Sequence, residues 1–211
     1  MQDFFLLSSL KQFFKDTVIY GISAVLPRAI NILLLGLHTN KLSADKFAVN
    51  TMYYVYAAYF NALLTYGMET AFFRFFSKEK DKVKIVSTSF ISLLITTLFF
   101  TTIAFVYSNS IALFFGFKNP LFFQILILTL TLDTLVVIPF AYLRVTNRPI
   151  KFTFYKTINI IIYATLNVFF LWLVPYAIDS GISLPNSLIS YVENQPQVIH
   201  IFVAGLAASA V

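Results

Sequence analysis

Apolar residues in this chain fall in continuous runs of about 20, each long enough to cross roughly 30 Å of hydrocarbon as a helix, and short polar segments separate them. Five complete runs and the start of a sixth are read at about 17–38, 47–73, 85–107, 120–143, 152–178 and 198–211. The runs are unbroken and far longer than the roughly ten-residue alternating strands of an outer-membrane barrel, so the pattern predicts helices throughout. The expected fold class is all-α, a polytopic membrane helix bundle of about six spans. Before it, residues 1–16 form an amphipathic pattern. Leu6, Leu7, Leu10, Phe13 and Phe14 share one helical face, opposite Ser8, Lys11, Gln12, Lys15 and Asp16. This predicts a helix lying on the cytoplasmic face, separate from the transmembrane part at 17–211. The early Asp3 and the lack of a basic n-region or a small-residue cleavage site argue against a signal peptide.

Composition agrees: 59% of residues are hydrophobic, 11% are charged, and mean hydropathy is +0.81, outside the range of soluble domains. The net charge of +6 raises the question of nucleic acid, and the placement of the cations answers it. Eleven basic residues fall on one set of connections, from Lys11 through the Arg74–Lys84 and Arg144–Lys156 clusters, against Lys41, Lys46 and Lys118 on the other. That asymmetry predicts a cytoplasmic N-terminus and excludes a nucleic-acid reading. A lipid-headgroup role for SKEKDKVK is the weaker alternative to a plain basic loop. With no cysteine, disulfides and thiolate metal sites are excluded.

Two charges then stand out by depth. Arg28 lies thirteen residues from both Lys15 and Lys41, and Asp133 lies fifteen after Lys118 and eleven before Arg144, so both fall near mid-membrane. A charge in lipid there costs at least about 2.5–3.5 kcal/mol, so each is expected to face protein or a water-filled cavity. Polar residues recur beside them: Asn61, Thr65 and Glu69 at i, i+4; Thr129 and Asp133; and Lys156, Asn159, Tyr163 and Asn167. The competing reading makes Arg28 and Asp133 a structural ion pair and the amides interhelical glue. Pro27 and Pro139 each remove a backbone hydrogen bond near a midplane charge, as a helix that changes shape would require. No metal spacing, paired acidic motif, phosphate-cradling loop or nucleophile elbow is present, so no catalytic residue, metal ligand or enzymatic activity is expected. His38 and His200 stand alone and are expected at membrane interfaces.

The stretches YGISAVLPRAINILLLGLHTNKLSADKFAV, YGMETAFFRFFSKEKDK and LDTLVVIPFAYLRVTNRPIKF, in that order, strongly resemble segments of bacterial polysaccharide flippases. These are the O-antigen and capsule repeat-unit translocases of the multidrug/oligosaccharidyl-lipid/polysaccharide exporter superfamily. The second stretch resembles the family's G-x-E-T-A-x-x-R-F segment, with Glu69, Thr70, Ala71 and Arg74 in place, and the third its basic inner loop with Arg144 and Arg148. TNKLSADKF replaces the usual tyrosine-rich outer loop, with Lys46 and Ala48 as departures.

The resemblance implies an inner-membrane protein of surface-polysaccharide biosynthesis. It would move an undecaprenyl-pyrophosphate-linked oligosaccharide outward by ion-coupled alternating access. On that expectation Arg28, Asn31, Asn61 and Arg74 bind substrate, Arg28 by gripping the pyrophosphate. Asp133 and Glu69 serve the coupling proton or sodium ion, and no other cofactor is expected. The alternatives within the superfamily are a lipid-linked peptidoglycan precursor flippase and a cation-coupled multidrug exporter. A non-transporting membrane subunit is the alternative from another class. Such transporters resemble two six-helix lobes, so the 211 residues are expected to be an N-terminal lobe. Its expected partners are membrane lipids, the lipid-linked cargo and a C-terminal lobe from the same full-length chain or a second subunit.

Overall fold

The computed structural model describes residues 2–211, the side chains of residues 2–13, 15, 16 and 23 excepted. Among the described residues every regular element is helical. The chain runs α1 Gln2–Lys41, α2 Ala44–Thr65, α3 Met68–Lys78, α4 Lys82–Val106, α5 Ser108–Phe114, α6 Pro120–Leu135, α7 Val137–Val145 and α8 Pro149–Val168. A π turn, Phe169–Leu173, joins α8 to α9 Val174–Asp179, and α10 Asn186–Asn194 and α11 Gln197–Ser209 follow. Four stretches are long and apolar enough to cross a membrane: Thr17–Lys41, Lys82–Val106, Pro120–Val145 and Pro149–Asp179. The protein is therefore read as a membrane protein. α2 and α11, also expected to span, fall outside those four; α11 has 13 residues.

Helix ends follow from local chemistry. Asp81 accepts a hydrogen bond from the Lys84 N–H and Asn119 from the Leu121 N–H, capping α4 and α6. Pro120 and Pro149 occupy first turns, where no backbone N–H is needed. Threonines inside the helices return their hydroxyls to their own backbone, as Thr129 does to Ile125 and Thr131 to Ile127, which satisfies a polar group amid apolar neighbours.

Two expectations change. In place of one helix over 47–73 there are two, because Tyr66 (φ 33°) and Gly67 (φ 72°) both take left-handed backbone and stop α2. A glycine after a tyrosine in an apolar run is a weak breaker by sequence, and here it acts as one. In place of a break near residue 16, α1 is continuous from Gln2 and passes through Pro27. The amphipathic faces expected of 1–16 fall, Phe14 apart, on residues whose side chains lie outside the described set.

α8 packs between α1 and α11, while α6 packs against α2, α4 and α11. α1 and α8 run in the same direction. The Thr153 hydroxyl donates to the Ile19 carbonyl near one end (3.2 Å), and the His38 ring meets Asn167 near the other (2.8 Å). The larger apolar core gathers Tyr53, Phe117, Phe123, Leu126, Ile127, Leu130, Ile201 and Phe202 around α6 and α11. A smaller, separate core joins α3, α4 and α7 through Phe72, Leu93, Ile138 and Ala141. It lies at the end of the bundle that carries the basic turns around Lys78–Lys84 and Arg148–Lys151.

Candidate functional site

Between α1, α2, α6, α7, α8 and α11 lies a cavity of about 890 Å³. Its wall changes character along its length. Asn31, His38, Asn50, Thr51, Tyr54 and Asn61 supply amides, hydroxyls and an imidazole, whereas Glu69, Asp133, Arg144 and Lys156 supply charge.

The charged end is assembled by five helices. α6 places Thr129 and Asp133 one turn apart on the cavity wall, as their i, i+4 spacing predicts. Ser209, at the end of α11, stands beside Asp133 on the same cavity wall. α8 presents Lys156, Asn159 and Tyr163 to the same space, as expected of that stripe. Asn159 donates to the Ala208 carbonyl (2.7 Å), tying α8 to α11, and the Lys156 ammonium sits over the Phe140 ring at 4.7 Å. Asp133 and Lys156 feel each other electrostatically but are too far apart for an ion pair. The ion pair present among the described residues joins Glu69 to Arg144. The Arg144 guanidinium also lies 5.4 Å from both the Phe73 and Phe152 rings, so it stitches α3, α7 and α8 together.

The polar end is a hydrogen-bonded wall. Asn167 donates its amide N–H to the Tyr163 carbonyl (2.8 Å), so its oxygen faces His38 and takes the hydrogen of His38 Nε2. The Tyr54 and Tyr163 hydroxyls meet at 2.6 Å across α2 and α8. Asn50 is buried on the cavity wall, and its amide oxygen has no donor among the described residues.

Of the residues expected to bind substrate, Asn31 and Asn61 line the cavity; Arg28 and Arg74 do not, and both are exposed. Arg28 nevertheless falls in the helical stripe of Asn31, Leu35 and His38, one turn beyond Asn31. Both residues expected to serve ion coupling, Asp133 and Glu69, line the cavity. The expected face of Asn61, Thr65 and Glu69 does not form as one surface. The break at Tyr66–Gly67 separates Glu69 from the other two, and the Thr65 hydroxyl turns to the Asn61 carbonyl at 2.8 Å. Arg28 and Asp133 do not pair.

The chain pattern marks Arg144 only as part of a basic turn and predicts both histidines at membrane interfaces. His38, three residues from the end of α1, is bonded inside the bundle, and His200, near the start of α11, is buried in an aromatic stack with Phe170 and Tyr191. The spacing of Glu69 and Arg144 along the chain carries no hint of their contact. For His38, its recurrence with Asn31 and Leu35 at helical spacing was the available signal.

No family model, curated protein or solved structure matches this chain.

Proposed function

We propose that this chain forms one lobe of a bacterial inner-membrane flippase that carries an undecaprenyl-pyrophosphate-linked oligosaccharide outward by ion-coupled alternating access. The observation that carries the reading is the cavity among membrane-type helices, charged at one end and lined with amides and hydroxyls at the other. A ligand with an ionic head and a carbohydrate body calls for such a wall, because buried sugar hydroxyls need donors and acceptors while phosphates need cations. The unpartnered Asn50 oxygen fits a polar occupant. The three stretches that resemble polysaccharide flippases supply the cargo in this reading, and the basic turns supply a cytoplasmic N-terminus.

A non-transporting subunit is disfavoured by the same geometry. It should have buried Arg28 against Asp133 with no space between helices, and the two are neither paired nor packed together. Arg28, one turn beyond Asn31 and outside the cavity wall, is assigned to the pyrophosphate as it enters the cavity, and Asp133 to the coupling cation.

The test is translocation of a fluorescent undecaprenyl-pyrophosphate oligosaccharide in proteoliposomes holding the full-length protein. Arg28→Ala and Asp133→Asn should each reduce the initial rate by at least about tenfold, the size expected for losing a charge-assisted contact of roughly 1.5–3 kcal/mol. Normal rates in both variants would contradict the assignment.

A further inference from the structure

The cavity holds two cations whose binding capacity is only partly used. Lys156 projects into it from α8, and among the described residues its ammonium makes no hydrogen bond and no ion pair, only the contact with the Phe140 ring. Arg144 stands at the same end with a buried Nε–H that has no acceptor. Of the charged groups around it Lys156 feels the Asp133 carboxylate most, then Arg144 and Glu69, so Asp133 and Glu69 both face the pair of cations. An ammonium and a guanidinium lining one cavity, flanked by the Phe140 and Phe152 rings, match the needs of an oxyanion whose several oxygens bridge both.

What occupies the guanidinium instead is Glu69. Its position depends on the helix break: were α2 continuous, residue 69 would stand on the Asn61–Thr65 face, and the left-handed pair Tyr66 and Gly67 redirects it to Arg144. A carboxylate has the shape and charge of a competing oxyanion, so while the contact lasts it holds one terminal nitrogen of the guanidinium and leaves only the remaining edge open.

We propose that Arg144 and Lys156 form an oxyanion subsite of the phosphate type, and that Glu69 is its built-in competitor, displaced when the ligand binds. This inference rests on the reading of the cavity as a ligand passage and adds a second anion contact, apart from Arg28. Displacing Glu69 also removes one polar link between α3 and α7, which stay packed through Phe72, Ile138 and Ala141.

The experiment is direct binding of inorganic pyrophosphate to the full-length protein in nanodiscs of neutral phosphatidylcholine, followed by 31P line width. Removing the competitor should tighten binding, so Glu69→Gln is expected to lower Kd about tenfold, a change of about 1.4 kcal/mol. Arg144→Met and Lys156→Met are each expected to raise Kd at least tenfold, the scale of a lost charge-assisted contact. Arg144→Lys keeps the charge and the fold while losing the fork, and should give an intermediate constant should Arg144→Met fail to fold. Repeating the titration with phosphatidic acid in the disc distinguishes the ligand source. A raised apparent Kd assigns the subsite to a lipid headgroup, and an unchanged one to a soluble anion; either supports it. A Glu69→Gln constant that is unchanged or weaker, or a Lys156→Met constant equal to the parent's, overturns the subsite. Either result is distinguishable from failure of the flippase reading, which is tested separately by translocation at Arg28 and Asp133.

Discussion

The span Thr17–Lys41 of α1 and the span Pro120–Val145 of α6 and α7 carry the two charges expected near mid-membrane, and by sequence they look alike: long, apolar, each with one charged residue near its centre. In the folded protein they differ. The most apolar window of α1 is 6% buried, whereas that of α6 with α7 is 44% buried. Asp133 accordingly faces an internal cavity with Ser209 beside it, and Arg28 lies exposed on an apolar helix beside Ile32 and Leu33. Depth in the membrane is readable from distance along a helix, because the rise per residue is fixed. Lateral position is not, since it depends on which helices pack together.

The largest effects should come from breaking the α6–α11 side of this comparison. Phe202 has no exposed surface, stacks on Tyr53 at 3.8 Å and meets Phe122 edge-on. Phe202→Ala is expected to cost about 3–5 kcal/mol, read as a large fall in the melting temperature of detergent-solubilised protein. On α1, Leu33→Ala should change stability by no more than about 0.5 kcal/mol, because Leu33 is 75% exposed. Equal losses in the two variants would mean that α1 is packed as α6 is.

A smaller effect is expected at the contact that joins α1 to α8. Asn167→Ala leaves the buried His38 Nε2–H without an acceptor and should cost about 1–3 kcal/mol, while Asn167→Asp, which keeps an acceptor, should recover part of it in the same melting assay. Smaller still is Glu69→Gln. Its ion pair with Arg144 is over a third exposed on both sides, so stability should fall by less than about 1 kcal/mol even where ligand binding changes clearly. A fall of several kcal/mol would make that pair a structural staple and not a displaceable contact.

How much could be read from the sequence follows the same division. Helix type and the long spans at 82–106, 120–145 and 149–179 were legible to within a few residues, since unbroken apolar length decides them. So were the cavity stripes of Thr129 with Asp133 and of Lys156, Asn159 and Tyr163, which need only helical periodicity. The break at Tyr66–Gly67 was not, because one glycine is tolerated in many helices and only the backbone conformation reveals that it ends this one. Nor were Glu69 with Arg144 or His38 with Asn167, which are distant in the chain and meet through tertiary packing. Arg28 shows the limit most plainly: its place in a long apolar helix was legible, and its absence from the cavity wall was not.

The central claim is that the space among α1, α2, α6, α8 and α11 is aqueous while the outer face of α1 meets lipid. Because the chain has no cysteine, single cysteines report this directly. Ala58→Cys and Gly205→Cys, on the cavity wall, and Ile32→Cys and Leu33→Cys, on the exposed face of α1, would be treated in native membranes with a small water-soluble thiol reagent. Reaction at the first two positions with protection at the second two is the expected result. Protection at Ala58 and Gly205, or equal reaction at all four, would contradict it.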